Sequence, residues 1–175
     1  MLSQDILDDI SLEDIRTAAL CWGGSLARPY PVGNTENLVY ACHPGFALRL
    51  VSADHRPVEA VQAELAWLHY LHQQQLPVVE ILPSPHHQLW EFFTLGKTHL
   101  FYGSAFRWIT GERFDALNTP DFWRPERLKS LGSLLARLHE NAQALPPTLK
   151  KLTARRPGPF SPYLRTLAPH WPEDF

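Results

Sequence analysis

One stretch, Tyr30 to Leu71, constrains this chain more than any other. It reads PVGNTENLVYA, then CHPGFALRLVS, then RPVEAVQAELAWLHYL. That order gives a small-residue turn, a β-hairpin, an apolar strand carrying one cation, and a long helix. Strand side chains alternate between faces, so Arg49 shares a face with Ala47 and Val51 and lies opposite Phe46, Leu48 and Leu50. In the helix, Val61, Leu65, Leu68 and His72 fall at i, i+4, i+7 and i+11, the stripe that buries one side. Glu64 sits inside that stripe. A carboxylate on an apolar face is costly unless it meets a cation, and Arg49 is the nearest candidate in sequence. The plainer reading keeps Arg49 and Glu64 as separate surface residues of an ordinary α+β domain.

Composition narrows the class. A chain of 175 residues fits one domain, or one domain and part of another. A formal net charge of -2 gives no basic field for nucleic acid or an anionic membrane surface. No apolar run approaches the length that spans a bilayer. The opening MLSQDILDDI is acidic and lacks a secretory signature. Cys21 and Cys42 form neither a metal spacing nor a disulfide framework, so a cytoplasmic location is expected. Neither nucleic acid nor membrane is expected as a partner.

Around the central stretch, Ser11 to Trp22 reads as a capped helix with Ile15, Ala18, Ala19 and Trp22 on one side. A first strand is expected over Leu26 to Val32, weakened to an edge by Pro29 and Pro31. Gly33 to Asn37 makes a turn whose backbone N–H groups could cradle phosphate, although a hairpin turn alone accounts for it. Leu38–Cys42 and Phe46–Val51 are the next two strands, and the long helix runs from about Pro57 to Gln75. His69 and His72 stand at i, i+3, but no third ligand accompanies them, so no metal site is expected. Gln88–Leu95 and Thr98–Ile109 form a hairpin. The end of the second strand, Phe106 to Ile109, then leaves the sheet.

After Gly111 the character changes. Arg127 to Gln143 reads as a helix with Leu128, Leu131, Leu135 and Leu138 along one side. That apolar face is wide for a helix lying on a small sheet. The proline-rich tail from Leu145 is expected to be irregular apart from a short helix near Tyr163 to Leu167.

Taken in order, VGNTENLVY, FALRL, VEAVQAELAWLHYL, LPVVEILPSP, FRWITGERF and LGSLLARLH resemble the aminoglycoside phosphotransferase family. Its relatives include choline kinases, type II homoserine kinases and a stress-response protein kinase. The resemblance implies an α+β fold: a protein-kinase-like N-lobe, with an antiparallel sheet of about five strands and a long helix on it, over residues 1–110. Residues 111–175 would be a linker and the first helix of a helical C-lobe, here cut short. ATP would bind between the lobes with Mg²⁺. Gly33, Asn34, Thr35 and Asn37 would be the nucleotide-positioning loop. Arg49 would stand where such kinases place a lysine on the α- and β-phosphates; arginine keeps the charge and adds a fork. Glu64 would orient Arg49, and Phe106, Arg107, Trp108 and Ile109 would form the linker facing adenine.

The family's catalytic segment resembles H-G-D-x-x-x-x-N followed by a second Asp motif that holds the metal. The chain contains no His-x-Asp, and Asp121-Phe122-Trp123 stands too early to be the second motif. No catalytic or metal residue is therefore assigned. The reading is the ATP-positioning part of a phosphotransferase that moves the γ-phosphoryl group to a hydroxyl of a small molecule, inactive alone, with self-association expected through the exposed lobe face. Two alternatives remain: a non-catalytic nucleotide-binding or interaction module, and the N-lobe of a stress-response Ser/Thr protein kinase.

Overall fold

The computed structural model describes residues 4–33, 37–110 and 124–154. Eleven elements follow in order among them: α1 (Gln4–Asp9), α2 (Leu12–Leu20), β1 (Ser25–Leu26), β2 (Asn37–His43), β3 (Phe46–Ser52), α3 (Val58–Gln73), β4 (Ile81–Leu82), β5 (Glu91–Leu95), β6 (His99–Arg107), α4 (Pro125–Gln143) and α5 (Pro147–Ala154). The fold is α+β. Its antiparallel sheet has the order β1-β2-β3-β6-β4, and β5 also pairs with β6. β4 meets β6 at Phe106 and Ala105, and β5 meets it from Gly103 to His99. The two therefore lie end to end along one edge of β6.

Strand alternation divides the core in two. Leu38, Tyr40 and Cys42 of β2, Phe46, Leu48 and Leu50 of β3, and Phe101 and Ala105 of β6 point to one face, where they pack with Ile15, Ala18 and Ala19 of α2. The other face of the sheet carries Val51, Tyr102 and Phe106, which pack with Val61 and Leu65 of α3 and with Ile81. Gly103 belongs to the first face, where a Cβ would come within 2.5 Å of the Phe93 ring. The Phe93 ring lies over a position that has room for it only because the residue is glycine.

The elements differ from the sequence reading in several places, beginning with α1, a short helix ahead of the expected one. β1 is two residues long rather than the expected run to Val32, because Pro29 and Pro31 cannot donate to a ladder; beyond Ala27, whose N–H donates to the Ala41 carbonyl, the chain meets β2 again at Val32 and at the Gly33–Val39 bridge. β4 is an additional strand, making six rather than about five. α5 occupies a segment expected to be irregular; Pro147 at its first position suits a helix start. His72, placed on the buried stripe by spacing, is exposed, and burial on that last turn moves to Leu71. There the chain reverses through Gln75, at φ 57°, and the N–H of buried Leu76 donates to the Leu71 carbonyl.

α5 lies against α3. No side chain of α4 is buried, and Leu128, Leu131 and Leu135 are 41%, 42% and 47% exposed. The leucine face read from the sequence is present, and it is uncovered in this structure. No helix among the described residues is long and apolar enough to cross a membrane. The expected helix near Tyr163 lies outside the described residues.

Candidate anion-binding site

The face of the sheet turned toward α3 carries the site. In the middle of β3, Arg49 pairs with Val39 on one side and Ser104 on the other, so these three side chains project the same way. Glu64 lies on the second turn of α3, and its Oε1 stands 2.5 Å from Arg49 Nη1. The strand and helix periods deliver the two groups to one place, and the pair is formed.

A second cation joins them. Arg56 Nη1 lies 2.7 Å from Glu64 Oε2, so each carboxylate oxygen holds one guanidinium. The turn after β3 aims Arg56: the His55 and Arg56 N–H groups donate to the Ser52 carbonyl, and the Asp54 N–H donates to the Ser52 hydroxyl. Ser52 itself is buried. The side chains of Arg49, Glu64 and Arg56 are only 15%, 20% and 19% exposed. Burial pushes the Glu64 carboxyl up, but Arg49 and then Arg56 outweigh it and hold it below the ordinary carboxylate value.

Several polar atoms around the pair are buried without a partner: Arg49 Nε and Nη2, Arg56 Nη2, Ser104 Oγ and Asn37 Oδ1. Buried polar groups are normally hydrogen-bonded, so the guanidinium N–H donors and the Ser104 hydroxyl are chemically unfinished, as is the Asn37 amide oxygen, an acceptor. The Arg49 guanidinium also sits over the Phe106 ring, 4.9 Å from its centroid. Beyond Arg49, Val39, Ala41 and Ala47 continue the same face as a half-buried apolar strip. A cleft of about 330 Å³ opens at that end, lined in part by Ala41, Gly45, Arg28 and Trp108.

The other residues singled out in the sequence divide. Gly33 is bridged to Val39, whose N–H donates to its carbonyl. Asn34 and Thr35 lie outside the described residues. Asn37 opens β2 on the Arg49 face, opposite Val51. Phe106 is still within β6, opposite Ala47, so it forms the floor beside Arg49 rather than part of a linker. Arg107 pairs with Phe46 in the ladder and therefore projects to the opposite face. Its guanidinium binds Glu80 at the surface, away from the cluster. Trp108 and Ile109 have left the sheet and are 43% and 67% exposed. The Trp108 N–H donates to the Gly45 carbonyl and the Arg107 N–H to the Glu80 carbonyl, which pins the exit of β6 on both sides.

Arg56 and Ser104 were missed in the sequence. Arg56 belongs to a charged turn, and only the turn's hydrogen bonds direct it inward. Ser104 is one small polar residue inside an aromatic run, and its place beside Arg49 depends on the β3–β6 register.

The family model of the phosphotransferase enzyme family (APH) matches residues 27–173. Among solved structures, the chain is similar to the amicoumacin kinase hAmiN in complex with AMP-PNP, Ca²⁺ and Ami, with a TM-score of 0.65 at 14% identity, covering 83% of this chain and 44% of that one. It is also similar to the microcompartment-associated aminopropanol kinase, with a TM-score of 0.55 at 19% identity, covering 75% of this chain and 40% of that one. At these identities the likeness is one of fold. The chain spans less than half the length of either structure. No curated protein matches the sequence.

Proposed function

The chain belongs to the phosphotransferase enzyme family, and from that premise we propose that its Arg49–Glu64 face holds the phosphates of ATP. In the whole protein the γ-phosphoryl group would pass to a hydroxyl of a small molecule. One observation carries the proposal: a buried, carboxylate-anchored guanidinium retains N–H donors with no acceptor, in the middle of a sheet face that continues as an apolar strip. A phosphate supplies the acceptors and the negative charge, and a guanidinium fork suits its oxygens. The strip of Val39, Ala41 and Ala47, with Phe106, Trp108 and Ile109 beyond it, suits a flat heterocycle. These features fit a nucleotide.

Arg49 would bind and orient the phosphates, and Glu64 would hold Arg49 in place. Gly33 to Asn37 would be the nucleotide-positioning loop. Mg²⁺ bound with the nucleotide would neutralise charge on the transferring group. Among the described residues no group of three or more His, Cys, Asp or Glu side chains stands together, so no ligand of that ion is assigned. Residues 1–110 would act as the nucleotide-handling lobe and residues from 111 as the start of the acceptor-handling one. The 175 residues hold no His-x-Asp to take the acceptor's proton, so by themselves they would bind nucleotide without turning it over.

The test pairs AMP-PNP titration with an ATP turnover assay on the 175-residue chain, using sugar, amino-alcohol and aminoglycoside acceptors. Saturable binding without turnover is expected. Absence of binding would remove the phosphate role. Turnover that persists through repurification and through Glu64→Ala would contradict both the inactivity and the part given to Glu64.

A further inference from the structure

The Glu64 carboxylate has two cations, and the second has no part in the reading above. Arg56 reaches Glu64 from the turn ahead of α3 while Arg49 reaches it from β3, and each uses Nη1 on a different oxygen. Two guanidiniums against one carboxylate leave one positive charge in excess, in a cluster whose side chains are no more than 20% exposed. Charge buried in this way needs a counter-charge. Among the described residues, no other side-chain ion pair to either arginine is formed.

Unpartnered polar atoms lie on both arginines and on the serine beside Arg49. Arg49 keeps Nε and Nη2 without acceptors, and Arg56 keeps Nη2. Ser104, 1% exposed and level with Arg49 across the β3–β6 ladder, has a hydroxyl with no partner. A single small anion could satisfy one guanidinium fork. Donors from two guanidiniums, each held by a different oxygen of one carboxylate, suit an anion with several oxygens spread over more than one centre, which a di- or triphosphate provides.

We infer that Arg56 is a second anion-binding side chain of this site, so that two guanidiniums sharing Glu64, with the Ser104 hydroxyl beside them, grip one polyphosphate. The inference rests on the reading that the Arg49 face takes the phosphates of a nucleotide. It adds a residue and a ligand class, since inorganic tripolyphosphate should bind without any base. Were Arg56 only a strap holding the start of α3, removing it would change stability and leave the anion affinity of the folded protein alone.

The test uses the full 175-residue chain with inorganic tripolyphosphate, AMP-PNP and adenosine as separate titrants in calorimetry. Arg56→Gln should weaken tripolyphosphate and AMP-PNP by tenfold or more and leave adenosine unchanged. If Arg56→Gln does not fold, wild-type protein carries the test through the arginine Nε–H resonances, with the Arg56 signal assigned from Arg56→Lys. Tripolyphosphate should then shift the Arg49 and Arg56 signals together. Wild-type affinity in folded Arg56→Gln, or an Arg49 signal that moves while that of Arg56 stays, would overturn the inference and leave the Arg49 reading standing. Wild-type protein that binds neither AMP-PNP nor tripolyphosphate would remove both.

Discussion

Glu64 has a guanidinium on each oxygen and four-fifths of its side chain covered. Its folded carboxyl lies below the ordinary value of 4.5, so the ionised form is favoured by folding. The stability it contributes is full above that ordinary value and is lost as pH falls through the lower, folded one. Glu64→Gln should therefore cost about 2 kcal/mol at neutral pH, less than a fully buried pair because the group keeps some solvent contact. In thermal melts the gap between wild type and variant should close as the pH drops below about 4; a gap unchanged down to pH 3 would contradict the pairing. Arg49 and Glu64 were legible in the sequence because two simple periods, two for the strand and 3.6 for the helix, fix which way each points. Arg56 was not, since nothing periodic governs a turn and its direction comes from three N–H groups folding back onto Ser52.

At the scale of elements, the N-terminal helices are docked through backbone groups of the β5–β6 turn. Asp14 closes the capping box of α2 with Ser11 and also accepts the Gly96 N–H, while Asp9 accepts the Lys97 N–H. Gly96 takes φ +60°, and a Cβ there would stand 2.6 Å from an Asp9 carboxylate oxygen, so the helices fit only against a bare backbone. The Ser11 hydroxyl and backbone and the Gly96 N–H together hold the Asp14 carboxyl below its ordinary value. Asp14→Ala should cost about 1 kcal/mol, seen as a lower urea midpoint with an unchanged slope; an unaltered midpoint would mean the cap and the docking contribute nothing. The α2 cap could be read from Ser11 and Asp14 alone, but its second use against a hairpin more than 80 residues away could not. β4 escaped for a similar reason: two residues carry no period, and only their pairing with Phe106 and Ala105 makes them a strand.

At the scale of the whole molecule, the sheet with α2 on one face and α3 on the other has its own core, whereas α4 shows its leucines to solvent. The kinase-like α+β fold was readable because an ordered set of strand, turn and helix signals runs along nearly the whole chain, and the family match over residues 27–173 follows the same span. The acceptor of the proposed transfer was not readable, since none of the residues brought together around Arg49 bears on it. The central claim is that the guanidinium of Arg49, steadied by Glu64, is where the phosphates go. Its most direct test is a crystal structure of the chain with AMP-PNP. The account predicts α- or β-phosphate oxygens about 3 Å from Arg49 nitrogens, with Glu64 still paired. A nucleotide bound elsewhere, with Arg49 touching only Glu64, would contradict it.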